Sequence, residues 1–109
     1  MLKKFVPAVM LLMFVALPAF ADDGLVLDVK SCGDTCYAAV RCGDDYSIIE
    51  FDEKDAWPNK GDKLSGELRS RGRKNLKNES AGTEVHAYVY DCRLDYESML
   101  EQYMRLCME

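Results

Sequence analysis

A small, mainly β, disulfide-stabilised barrel followed by one C-terminal helix is the fold this sequence predicts, on three observations. From Gly24 onward apolar and polar residues alternate over short runs, the period of a half-buried strand. Cys-Gly-Asp occurs twice, at residues 32–34 and 42–44, each time between two such runs. Near the C-terminus the apolar spacing changes to that of a helix.

Five strands are expected. In GLVLDVK (24–30), Leu25, Leu27 and Val29 share one face, and in CYAAVRC (36–42), Cys36, Ala38, Val40 and Cys42 do. A two-residue loop at Gly33-Asp34 pairs residue 32 with 35, and so sets Val29 on Ala38 and Leu27 on Val40. A second two-residue loop at Gly43-Asp44 leads into YSIIEF (46–51) with Ser47, Ile49 and Phe51 inward; the other register would bury Glu50, whose charge is costly without a partner. After the connection DEKDAWPNKGD, KLSGELR (63–69) places Leu64 and Leu68 on one face with Gly66 between them, where a sharp bend or a close backbone approach is expected. Residues 70–83 hold one large apolar residue, Leu76, and read as a long solvated loop. EVHAYVY (84–90) is the fifth strand, with Val85, Ala87 and Val89 inward. The helix, at about 94–107, carries the stripe Tyr96, Met99, Leu100, Tyr103 and Cys107, with Asp95 as N-cap and Leu94 stapled to Met99. Five short strands in so small a domain suggest a closed or nearly closed barrel of OB-like or SH3-like type.

The N-terminus sets the compartment. Residues 1–21 carry Lys3 and Lys4, an apolar run from Phe5 to Phe20, and Ala19-Phe20-Ala21, the small-x-small pattern that precedes signal-peptide cleavage. The run falls short of a spanning helix. The mature chain, residues 22–109, is therefore expected to be one exported domain, periplasmic or secreted, with no transmembrane segment. The full chain has a net charge of −5, and loss of the two lysines makes the mature form more acidic still. That balance argues against nucleic acid, whose phosphates supply most non-specific affinity.

Oxidising compartments favour paired cysteines, and a core this small needs such staples. Five cysteines, Cys32, Cys36, Cys42, Cys92 and Cys107, leave one over, free or linking two chains. Cys92 with Cys107 is the expected first bridge, tying the helix to the last strand, and the second joins two of Cys32, Cys36 and Cys42. Cys36 with Cys42 is excluded, because six residues of one strand separate them by about 20 Å.

The run IIEFDEKDAWPNKGDKLSGEL and the later EVHAYVY resemble the periplasmic bacterial OB-fold proteins: an Asp (Asp52 or Asp55) before Trp57, then Asp62, Leu64, Gly66-Glu67 and a final alternating strand. The resemblance covers about half of the mature chain and implies a ligand-binding or stress-related exported module rather than an enzyme.

No catalytic constellation stands out. His86 is the only histidine and lacks a positioned partner, and bridged cysteines leave too few ligands for a metal, so no cofactor or metal is expected. Cys32 and Cys36 carry the alternative reading, a thiol-disulfide redox protein, although their spacing and strand setting lack the helix N-terminus that acidifies a reactive thiol. A structural or inhibitory scaffold is a third reading. Two surfaces are candidates for binding a small anion or an acidic partner: the basic stretch with Arg69, Arg71, Arg73, Lys74 and Lys77, and a patch of Tyr37, Arg41, Tyr88 and Tyr90. The intact mass of the exported protein is expected to match a chain starting at Asp22; a full-length mass in the membrane fraction would overturn the export reading.

Overall fold

The computed structural model describes residues 22–108, and the expected signal peptide lies outside the described residues. Six strands, not five, form a closed barrel: β1 (Asp22–Cys32), β2 (Thr35–Cys42), β3 (Asp45–Phe51), β4 (Lys63–Gly66), β5 (Gly72–Asn78) and β6 (Thr83–Leu94), in the order β1-β2-β3-β6-β5-β4, with β4 returning to β1. One helix, α1 (Tyr96–Arg105), follows, and a 3-10 turn at Lys54–Ala56 precedes β4.

Both hairpin loops have two residues, with Cys32 opposite Thr35 and Cys42 opposite Asp45. Gly33 and Gly43 have φ of 64° and 65°, and neither following Asp has positive φ, the arrangement of a type II′ turn. Ser47, Ile49 and Phe51 point inward as expected and are fully buried. The first strand differs. A bulge between Val26 and Asp28 sets Val26, not Leu27, opposite Val40, while Val29 keeps Ala38. The extra residue reverses the alternation. Val26 joins the core, Leu27 moves outside against the helix, and Leu25 is left 39% exposed.

The sixth strand, β5, lies within the stretch read as a loop. Gly72, Lys74, Leu76 and Asn78 turn inward, yet only Leu76 is apolar, so no hydrophobic period marks it. Buried Asn78 is satisfied instead by hydrogen bonds: its amide donates to Asp62 Oδ2 at 2.9 Å and its oxygen accepts from Ala81 N at 3.0 Å. Gly66 has φ of 136°, and a Cβ there would sit 2.8 Å from Leu76 Cδ2, so the expected bend at the end of β4 is real. Leu64 and Leu68 are both buried.

The helix lies outside the barrel, on Ala39 of β2 and Ile48 of β3, into which Met99 and Tyr103 pack. Asp95 caps it, accepting from Ser98 N at 2.7 Å. At the other end Lys30 of β1 donates to the carbonyls of Tyr103 (2.8 Å) and Leu106 (3.3 Å), placing a cation at the negative end of the helix dipole. Tyr96 and Leu100, expected on the buried stripe, are instead 52% and 37% exposed.

Cys107 is bridged to Cys32, with the Cα atoms 5.8 Å apart, and not to Cys92. The helix starts where β6 ends, so its far end reaches the tip of the β1–β2 hairpin, which carries Cys32, and leaves Cys92 behind. The expected second bridge is absent among the described residues: Cys36 and Cys42 are buried on the inner face of β2, and Cys92 is half-buried at the core's edge. Native protein is therefore expected to lose two hydrogens by mass, not four, and to show three thiols on unfolding. Replacing Cys107 with Ser should cost about 2–4 kcal/mol by chemical denaturation, and an unchanged midpoint would mean that packing alone holds the helix.

Candidate functional site

The basic stretch does not form one surface, because strand alternation and nearby acids divide it. Arg69 folds back onto the β2–β3 turn, donating to the carbonyl of Cys42 at 2.6 Å with its Nε 3.4 Å from Asp45 Oδ1. Arg71 reaches Asp91 at 2.8 Å. Lys74 turns inward along β5 and its ammonium meets Glu67 at 3.5 Å, while Lys77 lies 3.9 Å from Glu79. Among the five, only Arg73 has no carboxylate at ion-pair distance among the described residues.

Arg73 instead joins the tyrosines. It stands opposite Tyr88 across the β5–β6 ladder, Tyr88 stands opposite Glu50 of β3, and Glu50 stands opposite Tyr37 of β2. A single transverse row, Arg73–Tyr88–Glu50–Tyr37, thus crosses four strands on the outside of the barrel. Tyr90 closes it with an edge contact to Tyr37, ring centroids 6.1 Å apart. The two surfaces expected separately are therefore one, except for Arg41, which sits beside Tyr46 and Leu25 at the other end of β2.

Next to Arg73 a groove of about 400 Å³ is lined by Arg73, Lys74, Asn75, His86 and Ala87, with no carboxylate in its wall. Asn75 and His86 face each other across the β5–β6 ladder, and His86 Nδ1 is hydrogen-bonded to Asn75 Oδ1. Sequence reading passed over Asn75, since an asparagine in an apparent loop carries no signal. Its role in the wall depends on β5 being a strand.

Burial, the hydrogen bond with Asp52 and the charge of Asp52 raise the Glu50 carboxyl above the ordinary glutamate range, with Arg73 opposing. Tyr37 is raised by burial first and then by Glu50. The acidic pair at the end of β3 thus makes a negative flank to the row, and Arg73 its positive end.

The thiols have a different character. Burial pushes Cys42 up to about 11 against its hydrogen bond with Ser47, and it also raises Cys36 and Cys92. Cys32 is bonded to Cys107, so Cys32 and Cys36 do not face each other as a dithiol. A protonated, buried thiol is a poor nucleophile. Among the described residues no group of three His, Cys, Asp or Glu side chains is placed to hold a metal, and no helix is long and apolar enough to cross a membrane.

No family model, curated protein or solved structure matches the chain.

The raised Glu50 carboxyl has a consequence for stability. The folded protein keeps the proton to higher pH than the unfolded chain, so between the ordinary glutamate value of about 4.3 and the raised native value, stability falls as pH rises. Replacing Glu50 with Gln should remove that fall, giving a melting temperature above the parent's at pH 7 and close to it at pH 3. Parallel Tm curves across that range would contradict the assignment.

Proposed function

We propose that the protein is an exported binding module of OB-like type that captures a carboxylate or phosphate group, of a small molecule or an acidic partner, in the groove over β5 and β6. The observation that carries this reading is Arg73: the one cation of the basic stretch without an ion-pair partner among the described residues, beside an exposed tyrosine, in a groove whose wall contains no acid. Arginine's planar fork holds a carboxylate or phosphate bidentately, and Asn75 and His86 offer further polar contacts. Small barrels of OB type commonly use the face of their second and third strands for ligands. Here Ala39 and Ile48 on that face lie under α1, leaving the outer surface of β5 and β6 open. The N-terminal export pattern and the resemblance to periplasmic OB-fold proteins support the same reading.

The test is titration with inorganic phosphate and with citrate, followed by NMR chemical shifts of β5 and β6. Arg73→Gln should weaken binding at least tenfold and leave the melting temperature nearly unchanged, since exposed charges contribute only about 0–1 kcal/mol to stability. Arg69→Gln should do the reverse, lowering the melting temperature because it strips Asp45 and the β2–β3 turn of their partner. Binding should also weaken as salt rises. Saturable binding that survives Arg73→Gln, or no binding of either anion, would remove the site.

A further inference from the structure

We propose a second site, on the outer surface of β1 between β2 and β4, that takes a short apolar peptide with both termini free. Its centre is Leu25, which the bulge at Leu27 turns outward and leaves 39% exposed. Leu25 is opposite Arg41 of β2 on one side and Lys63 of β4 on the other, so a cation flanks the leucine on each neighbouring strand. Neither Arg41 nor Lys63 has a carboxylate at ion-pair distance among the described residues.

A cavity of about 390 Å³ opens over this row, lined also by Asp23, Gly24, Leu64 and Glu79. Asp23 lies two residues before Leu25 on the same outer face of β1 and opposite Ser65. Ser65 Oγ donates to Glu79 Oε2 at 2.7 Å, while Glu79 Oε1 faces Lys77 at 3.9 Å. The wall therefore has a cationic row, Arg41–Leu25–Lys63, and one strand repeat away the carboxylate of Asp23; Glu79, whose N–H donates to the Lys63 carbonyl at 2.8 Å, leans its own carboxylate toward Ser65 and Lys77 at the cavity edge.

Asp23 disfavours a simple anion as occupant, and the Arg41–Lys63 pair disfavours a simple amine. A molecule carrying both charges satisfies both. Two residues along a strand span about 6.6–6.8 Å, and an extended dipeptide spans at most about 6.6–7.2 Å, so its carboxylate reaches the cationic row when its ammonium lies at Asp23. The carboxylate meets the guanidinium of Arg41 and the ammonium of Lys63, the terminal amine meets Asp23, and an apolar side chain lies on Leu25. The site is independent of the groove over β5 and β6, since the two share no lining residue.

Leucyl-leucine is the probe, compared by calorimetry with N-acetyl-leucyl-leucine, which lacks the ammonium, and leucyl-leucinamide, which lacks the carboxylate. Saturable binding of leucyl-leucine is expected, at least tenfold tighter than either capped form. Arg41→Gln should weaken leucyl-leucine at least tenfold but leave the amide unchanged, and Asp23→Asn should weaken leucyl-leucine but leave the N-acetyl form unchanged. Both positions are exposed, and near-UV circular dichroism verifies that the variants fold. Absence of saturable binding, equal binding of a capped form, or indifference to Arg41→Gln would each overturn the proposal. Arg73→Gln should have no effect here, so failure of this site and failure of the β5–β6 groove are told apart; loss of leucyl-leucine binding in that variant would also overturn the proposal.

Discussion

The closure of β1 on β4 is the constraint on which the rest of this molecule depends. It consists of four residue pairs, from Asp22 with Gly66 to Leu25 with Lys63. A closed barrel with an odd number of strands must contain at least one parallel pair, whereas six strands can alternate in direction all the way round. The polar strand β5 supplies that sixth member, and every neighbouring pair here is antiparallel. Closure also needs room. A Cβ on Gly24 would lie 2.5 Å from Val40 Cγ1 and 2.7 Å from Leu68 Cδ1, so only glycine lets β1 come this close to the core where the barrel shuts.

Once the inside is closed, the outside becomes the surface where function must lie, and α1 occupies part of it. The helix buries an apolar patch, Ala39 and Ile48, that alternation would otherwise turn toward water. It is held at three points of different chemistry: Asp95 at its start, Lys30 on its last carbonyls, and the Cys32–Cys107 bridge across 75 residues of sequence. Tyr103 contributes at the same place, donating to Asp28 at 3.3 Å with the Lys30 ammonium 4.9 Å from its ring. Lys30 and Cys32 sit near one hairpin tip, so one short stretch of β1 fixes the far end of the helix.

Much of this was legible in the sequence, and the parts that were not share a cause. The two hairpins, the inward faces of β2, β3 and β6, the bend at Gly66 and the Asp95 cap follow from turn chemistry and alternation, which are local. The bulge at Leu27 leaves no local trace, because three alternating apolar residues look alike whether or not one residue is doubled. Strand β5 escaped notice because Lys74 and Asn78 fill inward positions through an ion pair and hydrogen bonds rather than apolar burial. The bridge partner of Cys107 depends on the direction in which the helix crosses the barrel, a tertiary fact. Of the binding residues, Arg73 and the tyrosines were visible as types, but their alignment in one row rests on the register of four strands.

The fate of the charges follows from the same alternation. Read as a string, residues 69–77 are a basic cluster, and a cluster suggests one electrostatic surface. Folded, successive side chains leave for opposite faces, and each meets whatever acid its own face presents: Asp45 for Arg69, Asp91 for Arg71, Glu67 for Lys74, Glu79 for Lys77. For Asp91, burial acts to raise the carboxyl, but the hydrogen bonds from Arg71, Gln102 and the Cys92 N–H outweigh it and hold the group below its ordinary range. These cations are occupied in holding turns and strand ends together. Four of the five cations of this cluster are so occupied, so density of positive charge along the sequence is a poor guide to a binding surface. The informative residues are those that alternation leaves without a carboxylate at ion-pair distance, and Arg73, Arg41 and Lys63 belong to that class. Each of them also lies against a hydrophobic or aromatic side chain across a ladder, Tyr88 for the first and Leu25 for the other two. A charge with no partner beside an apolar surface with no cover is the pairing that an amphipathic ligand completes.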